Sequence, residues 1–305
     1  MTREIAFIGL GNLGVHLAMS LVRAGYRVAV HDLDRDRASD LLAAGAIWAS
    51  SPAEAAAQSR SVFTCLPSPA AVTQVVSGSD GILQGLRPGY TWIDCSTNDL
   101  HALKRLAVMA EDRGIHCLEA PVTGGVHKAA SGEITVLVSG RRDVYEEHLP
   151  IFRTIGNKVF HIGDIGSASV IKVITNMLAF IHLVAAGEAL MLAKRGGIDL
   201  AQAFAVIKAS SGNSFVHETE SQVILNGSYN IGFTMDLACK DLQFAHELGR
   251  DLGVPLDLAG MVQQTFIRAR SQYGGDAWSS QVVKLLEDAV GTDLRAPGFP
   301  ETIVA

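Results

Sequence analysis

Cysteine is scarce in this sequence, and its few copies are far apart. The chain of 305 residues has four cysteines and no C-x-x-C pair, which excludes the common zinc ribbons and dithiol redox motifs. The histidines show no metal-ligand spacing either, so we expect no bound metal. Reduced, unpaired thiols are typical of the cytosol, where disulfides rarely persist.

Charge is also limited. Charged residues make up 18% of the sequence, the net charge is −6, and no run of lysine and arginine exceeds a few residues. Nucleic acids and acidic membrane surfaces attract clustered positive charge, so neither is an expected partner. With 48% apolar residues, the composition is that of a globular protein rather than a disordered one.

The sequence lacks an apolar run long enough to be a clear membrane span. The apolar, uncharged run at residues 173–187 is shorter than the roughly 20 residues that cross a bilayer, and it contains Thr175, Asn176 and His182. The first residues form a short apolar run that ends in glycines, which predicts a strand rather than a signal peptide. We therefore expect a soluble, cytoplasmic protein without a membrane partner.

The first half of the chain alternates short apolar runs with helical patterns. A chain of this length exceeds one comfortable core, so two domains are expected. Repeated alternation of strand and helix predicts a mostly parallel, doubly wound sheet. The predicted strands cover residues 4–10, 26–32, 61–67, 91–96, 115–121 and 134–140. The predicted helices cover residues 12–25, 35–45 (with Asp34 as N-cap), 98–113 and 142–154.

This alternation stops after residue 163. Residues 166–195 predict one long helix, and because it is apolar nearly all round, it should be buried between domains or subunits. The predicted fold class is α/β, with a doubly wound domain at 1–163 and an all-helical domain at 164–305 that begins with this long interdomain helix. Further helices are predicted over residues 199–209, 215–225, 236–252, 256–273 and 279–290.

A glycine-rich turn follows the first predicted strand and opens the first helix. Gly9, Gly11 and Gly14 have the G-x-G-x-x-G spacing in the segment GLGNLG. Such glycines permit a tight turn and the close approach of a pyrophosphate to the helix N-terminus. An incidental glycine turn is the alternative. The context of strand, turn and helix favours a Rossmann dinucleotide-binding domain.

Asp32 ends the second predicted strand and indicates which dinucleotide is bound. A carboxylate at this position accepts hydrogen bonds from the ribose hydroxyls of NAD, and it repels the 2′-phosphate of NADP. The nearby Arg35 and Arg37 could accommodate that phosphate, and a second capping aspartate beside Asp34 is the structural alternative. The expected cofactor is NAD.

A lysine lies in the apolar first half of the long predicted helix. Lys172 shares one helix face with Ser169 and Asn176, while its immediate neighbours are apolar. Hydride transfer from an alcohol carbon to nicotinamide must be matched by loss of the hydroxyl proton, and a lysine desolvated by apolar surroundings can accept it. Asn176 could hold the substrate oxygen or orient the ammonium. The alternative is a lysine that reaches the surface along its aliphatic stem.

The segment Thr123-Gly124-Gly125 follows a predicted strand end and suits an anion. The two glycines expose backbone N–H groups and Thr123 adds a hydroxyl, which together can bind a carboxylate. A plain turn after a strand is the alternative. The expected partner at this segment is a small carboxylate substrate.

Several motifs, in this order, resemble the β-hydroxyacid dehydrogenase family, which includes 3-hydroxyisobutyrate dehydrogenases and tartronate semialdehyde reductases. The resemblance covers essentially the whole chain. It is carried by FIGLGNLG at 7–14, LPSP at 66–69, IDCST at 93–97, APVTGG at 120–125, KVITN at 172–176 and FTMDLACKDL at 233–242.

The resemblance implies reversible hydride transfer between NAD and a small 3-hydroxyacid, with Lys172 and Asn176 as the catalytic K-x-x-x-N pair. Its implied substrate-binding residues are Thr123, Gly124, Gly125, Ser96, Phe233 and Asp241. Its implied cofactor-binding residues are Gly9, Gly11, Asn12, Leu13, Gly14, Asp32, Leu66, Pro67, Thr97 and Lys240. A homodimer or homotetramer is expected, formed partly through the helix at 166–195.

The chain departs from the pattern of this family at three positions. Thr123 stands where serine is more frequent, Glu119 where aspartate is more frequent, and Ala168 where glycine is common. The first two substitutions keep a hydroxyl and a carboxyl group at their positions. The chemistry that the resemblance implies is therefore still available.

Three other functions fit parts of the sequence. An imine reductase shares the fold, but such a relative usually lacks the lysine that stands here as Lys172. A 6-phosphogluconate dehydrogenase has a K-x-x-H-N motif, whereas Thr175 occupies the histidine position and the helical domain is much shorter. A non-catalytic dinucleotide-binding protein would not need Lys172, Asn176 and the TGG segment together.

Overall fold

The computed structural model describes residues 4–303 and divides the chain into two compact units, Met1–Lys172 and Val173–Ala305. Residues 1–3 and 304–305, at the outer ends of the two predicted domains, lie outside the described part. The domain boundary expected after residue 163 rests on the sequence pattern and stays a prediction.

The first unit is built on one sheet of nine strands with helices between them. Its strands are β1 (Glu4–Ile8), β2 (Arg27–His31), β3 (Ile47–Trp48), β4 (Ser61–Thr64), β5 (Thr91–Asp94), β6 (His116–Glu119), β7 (Val122–Thr123), β8 (Ile134–Gly140) and β9 (Gly156–Gly163). Its helices are α1 (Gly14–Arg23), α2 (Ser39–Ala43), α3 (Pro52–Ala57), α4 (Pro69–Ser77), α5 (Ile82–Gly85), α6 (Leu100–Glu111), α7 (Gly125–Ala130) and α8 (Arg142–Ile155), with a 3₁₀ helix at Arg35–Ala38.

The strand order confirms the predicted doubly wound sheet. Strands β3, β2, β1, β4, β5 and β6 lie side by side and parallel. Beyond them, β8 runs antiparallel to β6 and β7, and β9 pairs in parallel with β8. The chain winds outward in opposite directions from β1 and β4, so the switch point lies between these strands. Ligands of such sheets bind at the carboxyl ends of the strands at this point.

Both faces of the sheet are buried, as a parallel sheet with helices on both sides requires. Along β1, Ile5 and Phe7 belong to one core cluster, while the alternate residues Ala6 and Ile8 belong to another. This alternation explains why the predicted strands are continuous apolar runs, because each side chain finds a core on its own face.

Helix α9 (Ser167–Arg195) begins in the first unit and continues through the start of the second. Among residues 4–303 it alone is long and apolar enough to cross a bilayer, with a mean hydropathy of 1.8 over a window that is 28% buried. That is weak evidence for a membrane, since core helices of soluble proteins share these properties. Leu178 and Leu192 are 44% and 75% exposed, so the burial expected for this helix is incomplete within one chain.

The second unit is helical, as predicted, and packs around its own core. Phe266 is fully buried in this core, and its ring meets that of Phe180 edge-on at 5.2 Å. At Gly187 an added Cβ would lie 2.7 Å from Val283, so α9 approaches its neighbour closely there. The other helices are α10 (Leu200–Lys208), α11 (Phe215–Asn226), α12 (Met235–Leu252), α13 (Asp257–Tyr273) and α14 (Lys284–Val290), with a 3₁₀ helix at Ser279–Val283.

Candidate active site

The glycine turn after β1 has the geometry that a dinucleotide requires. Gly9 has φ +94°, and a Cβ there would lie 2.3 Å from the carbonyl oxygen of Cys65. A Cβ at Gly14 would lie 2.0 Å from the Gly9 carbonyl oxygen, so α1 packs directly on the turn. At Gly11 an added Cβ would meet no atom within 4 Å. The outer glycines thus serve packing, and the open space beside Gly11 fits the approach of a pyrophosphate.

Asp32 follows β2 and is held by two backbone N–H groups. Its Oδ2 accepts a hydrogen bond from Leu10 N at 2.6 Å, and its Oδ1 accepts one from Asp34 N at 2.9 Å. The first bond ties the carboxylate to the glycine turn. Each carboxylate oxygen can accept more than one hydrogen bond, so this arrangement still allows contact with ribose hydroxyls.

The two arginines that follow Asp32 have partners of their own. The Arg35 guanidinium lies 5.5 Å from the centre of the Trp48 ring, and Arg37 Nε lies 3.6 Å from Asp34 Oδ2. Asp34 also caps the 3₁₀ helix as predicted, because its Oδ1 accepts from Asp36 N at 3.1 Å.

A buried aspartate joins the loops after β4 and β5. Asp94, at the end of β5, accepts hydrogen bonds from Thr64 Oγ1 at 2.9 Å, Ser96 N at 3.1 Å and Asn98 Nδ2 at 3.1 Å. Burial raises its pKa to about 6, against the lowering effect of these bonds. Ser96 Oγ in turn accepts from Leu66 N at 2.9 Å. The network therefore holds the predicted site segments around Leu66 and Ser96 side by side.

Sequence reasoning assigned no role to Asp94 or Asn98. A signal for both was present, because an aspartate that ends an apolar strand and is followed by Cys-Ser-Thr-Asn has hydrogen-bond donors within reach of its own loop. Thr97, predicted to bind the cofactor, lies within the same loop between Ser96 and Asn98.

Lys172 is buried near the start of α9. Only 9% of its surface is exposed, so the alternative that it reaches the surface is wrong. Its charge acts on the thiol of Cys65. The pKa of that thiol is raised to about 12, chiefly by burial and also by the Asp94 charge, while the Lys172 charge lowers it. The lysine therefore lies near the loop that follows β4, whose backbone contacts the glycine turn.

Glu119, at the end of β6, joins the sheet to the start of α9. Its carboxylate is buried and accepts hydrogen bonds from Ser169 N at 3.2 Å and from the Ser169 hydroxyl. It also accepts from Gly166 N and from the hydroxyl of Ser139 on β8. From the sequence alone, Glu119 was noted only as a departure from the family pattern.

The TGG segment forms a turn between β7 and α7. Thr123 pairs with Thr135 of β8, and Gly124 and Gly125 have φ of +124° and +87°. Both values lie in the region that favours glycine. A Cβ on Gly125 would lie 3.0 Å from the ring of His127, a residue that the sequence analysis did not place at this turn.

Three predicted site residues of the second unit contact one another. Asp241 on α12 is buried, and its Oδ2 accepts from Asn176 Nδ2 at 2.5 Å. Its Oδ1 accepts from Lys240 Nζ at 2.6 Å. Phe233, also predicted in this site, packs its ring 6.2 Å from that of Phe180.

The cysteines are free thiols at intermediate or buried positions. Within residues 4–303 no group of three or more histidine, cysteine, aspartate or glutamate side chains is arranged to hold a metal ion.

Two family models together match most of the chain. A model of the NAD-binding domain of 6-phosphogluconate dehydrogenase matches residues 4–163. A second model, described as the NAD-binding part of NADP-dependent 3-hydroxyisobutyrate dehydrogenase, matches residues 166–286. The two matches meet near the start of α9.

Curated relatives and a solved structure resemble the chain over nearly its full length. A 2-(hydroxymethyl)glutarate dehydrogenase of Eubacterium barkeri is 32% identical over 95% of this chain and 97% of its own length. An L-threonate dehydrogenase of Cupriavidus necator is 33% identical over 93% and 96%. The structure of Mycobacterium tuberculosis 3-hydroxyisobutyrate dehydrogenase with L-serine has a TM-score of 0.83 at 29% identity, covering 94% and 99%.

These similarities support a hydroxyacid dehydrogenase over the imine reductase and the non-catalytic alternatives. They also agree with the cofactor fit of the turn at Gly9, Gly11 and Gly14. The chain belongs to the β-hydroxyacid dehydrogenase family and is an NAD-binding oxidoreductase of hydroxyacids.

Proposed function

We propose that this enzyme reversibly oxidises a small 3-hydroxyacid to the corresponding aldehyde-acid, with Lys172 as general base in oxidation and general acid in reduction. The observation that carries the proposal is a lysine with 9% exposure on an apolar helix, beside the loop that follows β4. A lysine that transfers protons near neutral pH must be shielded from water, because desolvation favours the neutral form of its amine.

The chemistry divides between the cofactor and the chain. NAD, which the glycine turn and Asp32 would hold, would supply the acceptor for the hydride of the alcohol carbon. Lys172 Nζ takes the hydroxyl proton as that carbon becomes a carbonyl carbon, and it returns the proton when the aldehyde is reduced. Asn176 lies one helical turn further along α9 and, in this proposal, contributes an amide that holds the reacting oxygen.

The substrate carboxylate is assigned to the turn of Thr123, Gly124 and Gly125. Successive glycines with positive φ leave backbone N–H groups uncovered by side chains, and these can donate to an oxyanion. The relatives act on, and one solved structure holds, small molecules with a carboxylate: 2-(hydroxymethyl)glutarate, L-threonate and L-serine. A carboxylate is the group that these molecules share.

NAD is proposed as the preferred cofactor over NADP. The Asp32 carboxylate is held at the end of β2 by Leu10 N and Asp34 N. A 2′-phosphate would meet this negative charge. Arg35 and Arg37, the residues that could offset the repulsion, lie against Trp48 and Asp34.

The proposed setting is the cytoplasm, with no membrane or nucleic-acid partner, and the proposed assembly is a homodimer or homotetramer. Leu178 and Leu192 on α9 are large exposed apolar side chains, and a second subunit would remove them from water. Light scattering at micromolar concentration tests the assembly, and a mass of 32.4 kDa would contradict it.

Replacing Lys172 with alanine tests the proposed catalytic role. The initial rate of NADH formation is measured with a panel of 3-hydroxyacids, and kcat should fall about 10²- to 10⁴-fold, the usual contribution of a positioned acid or base. Lys194→Ala, at the far end of the same helix, is the matched control and should leave kcat unchanged. NADH binding, followed by fluorescence, should survive in both variants.

Two results would contradict the proposal. One is a Lys172→Ala enzyme that keeps most of its kcat at neutral pH. The other is a wild-type enzyme that reduces cyclic imines with NADH but oxidises no hydroxyacid of the panel, which would restore the imine reductase alternative.

A further inference from the structure

The first turn of α9 is capped by a residue that is distant in sequence. A helix leaves its first backbone N–H groups without partners inside the helix. Here Gly166 N and Ser169 N both donate to the carboxylate of Glu119, which belongs to β6. A negative charge at this end of a helix is also favoured by the helix dipole.

The Glu119 carboxylate has a complete set of donors. Two contacts come from backbone N–H groups of the α9 start, and two come from the hydroxyls of Ser169 and Ser139. A carboxylate offers about four acceptor sites and no donor, so the set matches its capacity. Glu119 and Ser139 are also direct partners in the pairing of β6 with β8, so the carboxylate is attached to the rigid part of the sheet.

The contact of Glu119 with Ser169 lies one helical turn before Lys172. Residues three apart lie on the same face of a helix. Lys172 therefore lies on the same face as Ser169, whose backbone N–H and hydroxyl both donate to Glu119. A rotation or shift of this first turn would move the lysine by a similar amount. An error of about 1 Å in the position of a reacting group can cost about 10²-fold in rate.

We infer that Glu119 is a positioning residue for Lys172: it fixes the first turn of α9 against β6 and β8 and so sets the orientation of the lysine. The inference rests on the proposed role of Lys172 and goes beyond it. Glu119 does not touch the reacting atoms in this account, and its effect on the reaction passes through Ser169 and the helix backbone.

Glutamine at position 119 would keep the shape of the side chain but not its hydrogen bonding. Its amide nitrogen carries two donors, and in either orientation this nitrogen faces one of the backbone donors, Gly166 N or Ser169 N. Aspartate is shorter by one methylene but keeps two acceptor oxygens. Comparing Glu119→Gln with Glu119→Asp therefore separates the effect of losing an acceptor oxygen from the effect of shortening the side chain.

The start of α9 also has contacts that do not involve Glu119, so the variants should fold. A Cβ on Gly166 would lie 2.6 Å from the Lys104 side chain and 2.7 Å from that of Leu100, which places the helix start directly against α6. Losing the carboxylate should therefore shift the first turn rather than detach it.

The experiment compares Glu119→Gln, Glu119→Asp and Ser139→Ala in the full-length enzyme. For each variant, kcat, the KM values for NAD and the hydroxyacid, the melting temperature and the number of NADH sites by fluorescence titration are measured. Glu119→Gln should lower kcat per NADH site by about 10- to 100-fold, with little change in either KM. Glu119→Asp should retain more of kcat than Glu119→Gln.

Ser139→Ala is the matched structural control. It removes the hydrogen bond that the Ser139 hydroxyl on β8 donates to Glu119. The hydrogen bonds from Gly166 N and Ser169 N at the start of α9 stay in place. Its melting temperature should fall while kcat per site stays near that of the wild type. If Glu119 acted only through stability, kcat per site would be unchanged in both Glu119→Gln and Glu119→Asp.

The outcomes separate this inference from the proposed function. If Lys172→Ala loses activity but Glu119→Gln keeps the wild-type kcat per site, or keeps more than Glu119→Asp, the positioning role is wrong and the catalytic role of Lys172 stands. If Lys172→Ala keeps its activity, the proposed function fails first. A parallel fall in kcat for Ser139→Ala and Glu119→Gln would also overturn the inference.

Discussion

Asn176 donates a side-chain hydrogen bond to the buried carboxylate of Asp241, with 2.5 Å between Nδ2 and Oδ2. The other carboxylate oxygen accepts from Lys240 Nζ at 2.6 Å. Because an amide has its donors on one atom and its acceptor on the other, this bond directs Oδ1 of Asn176 away from Asp241. In the proposed mechanism, Asp241 thereby determines which end of the amide is presented to the substrate.

Replacing Asp241 with asparagine should therefore impair turnover. Hydrogen bonds to charged groups contribute about 1.5–3 kcal/mol, so kcat measured as NADH formation should fall by about tenfold or more. Asp236→Asn on the same helix is the control, because its ion pair with Arg270 is solvent-exposed, and it should leave kcat unchanged. An Asp241→Asn enzyme with wild-type kcat would show that the orientation of Asn176 is unimportant.

Cofactor preference should depend on the charge of Asp32. Asp32→Ser should raise the KM for NAD and lower the ratio of kcat/KM for NAD to that for NADP, because ribose contacts and repulsion of the 2′-phosphate are both lost. Asp32→Asn can keep an acceptor for Leu10 N, although its amide nitrogen then faces Asp34 N. Because it removes the negative charge, it should improve the use of NADP. Higher kcat/KM with NADP than with NAD in the wild-type enzyme would contradict the assignment.

The regular elements could be predicted because their signals are local. Residues 134–140 were predicted as a strand and form β8 with those bounds, and the helix predicted at 142–154 is α8, Arg142–Ile155. In each of these segments, the apolar periodicity and the residues that mark its end can be read from the local sequence. The glycine turn and Asp32 could be placed for the same reason, since a strand, a turn and a helix stand next to each other in the sequence.

Several short elements were not predicted, although some carried signals. Helices α3 and α4 begin at Pro52 and Pro69, each directly after a serine that caps it, which is a recognisable start of a helix. Strand β9 at Gly156–Gly163 has a mixed sequence whose apolar residues Phe160 and Ile162 are exposed, so it lacks the pattern of a buried strand. It is a strand because it pairs with β8, and pairing with a partner is not visible in the segment itself.

The hydrogen bonds that hold the site together could not be predicted, because they join residues far apart in sequence. Glu119 contacts Ser169 fifty residues later, and Asn176 contacts Asp241 sixty-five residues later. The sequence indicates that such polar groups need partners, but only the fold selects them. Lys172 differs, because a charged residue in the otherwise uncharged first half of an apolar helix is anomalous within its own segment.

The TGG turn should make the enzyme selective for an acid over its ester. Each charge-assisted hydrogen bond contributes about 1.5–3 kcal/mol, so a 3-hydroxyacid should exceed its methyl ester by about 10²-fold or more in kcat/KM, mostly through KM. Thr123→Val should weaken use of the acid and leave that of the ester nearly unchanged. Equal kcat/KM values for acid and ester in the wild type would remove the carboxylate site from this turn.

Stability should fall in mild acid because of a histidine in the first unit. His148 is buried on α8, its Nδ1 donates to Val144 O at 2.8 Å, and its Nε2 accepts from Ser61 Oγ at 2.9 Å. Burial lowers its pKa in the folded state. At this site the unfolded chain binds a proton near pH 6.5 and the folded chain does not, so the contribution of His148 to the free energy of unfolding should decrease as pH falls below about 6.5.

His148→Gln tests this effect, because it removes the titrating group and keeps a polar side chain. One proton contributes at most about 1.4 kcal/mol per pH unit, and denaturant unfolding at pH 7.5 and 5.5 measures the change. Asp94, whose pKa is raised to about 6, has the opposite sign, since its folded form gains a proton first as pH falls. It is present in both proteins and cancels in their difference. The variant should therefore lose less stability than the wild type between the two pH values, and an equal loss would show that His148 is not responsible.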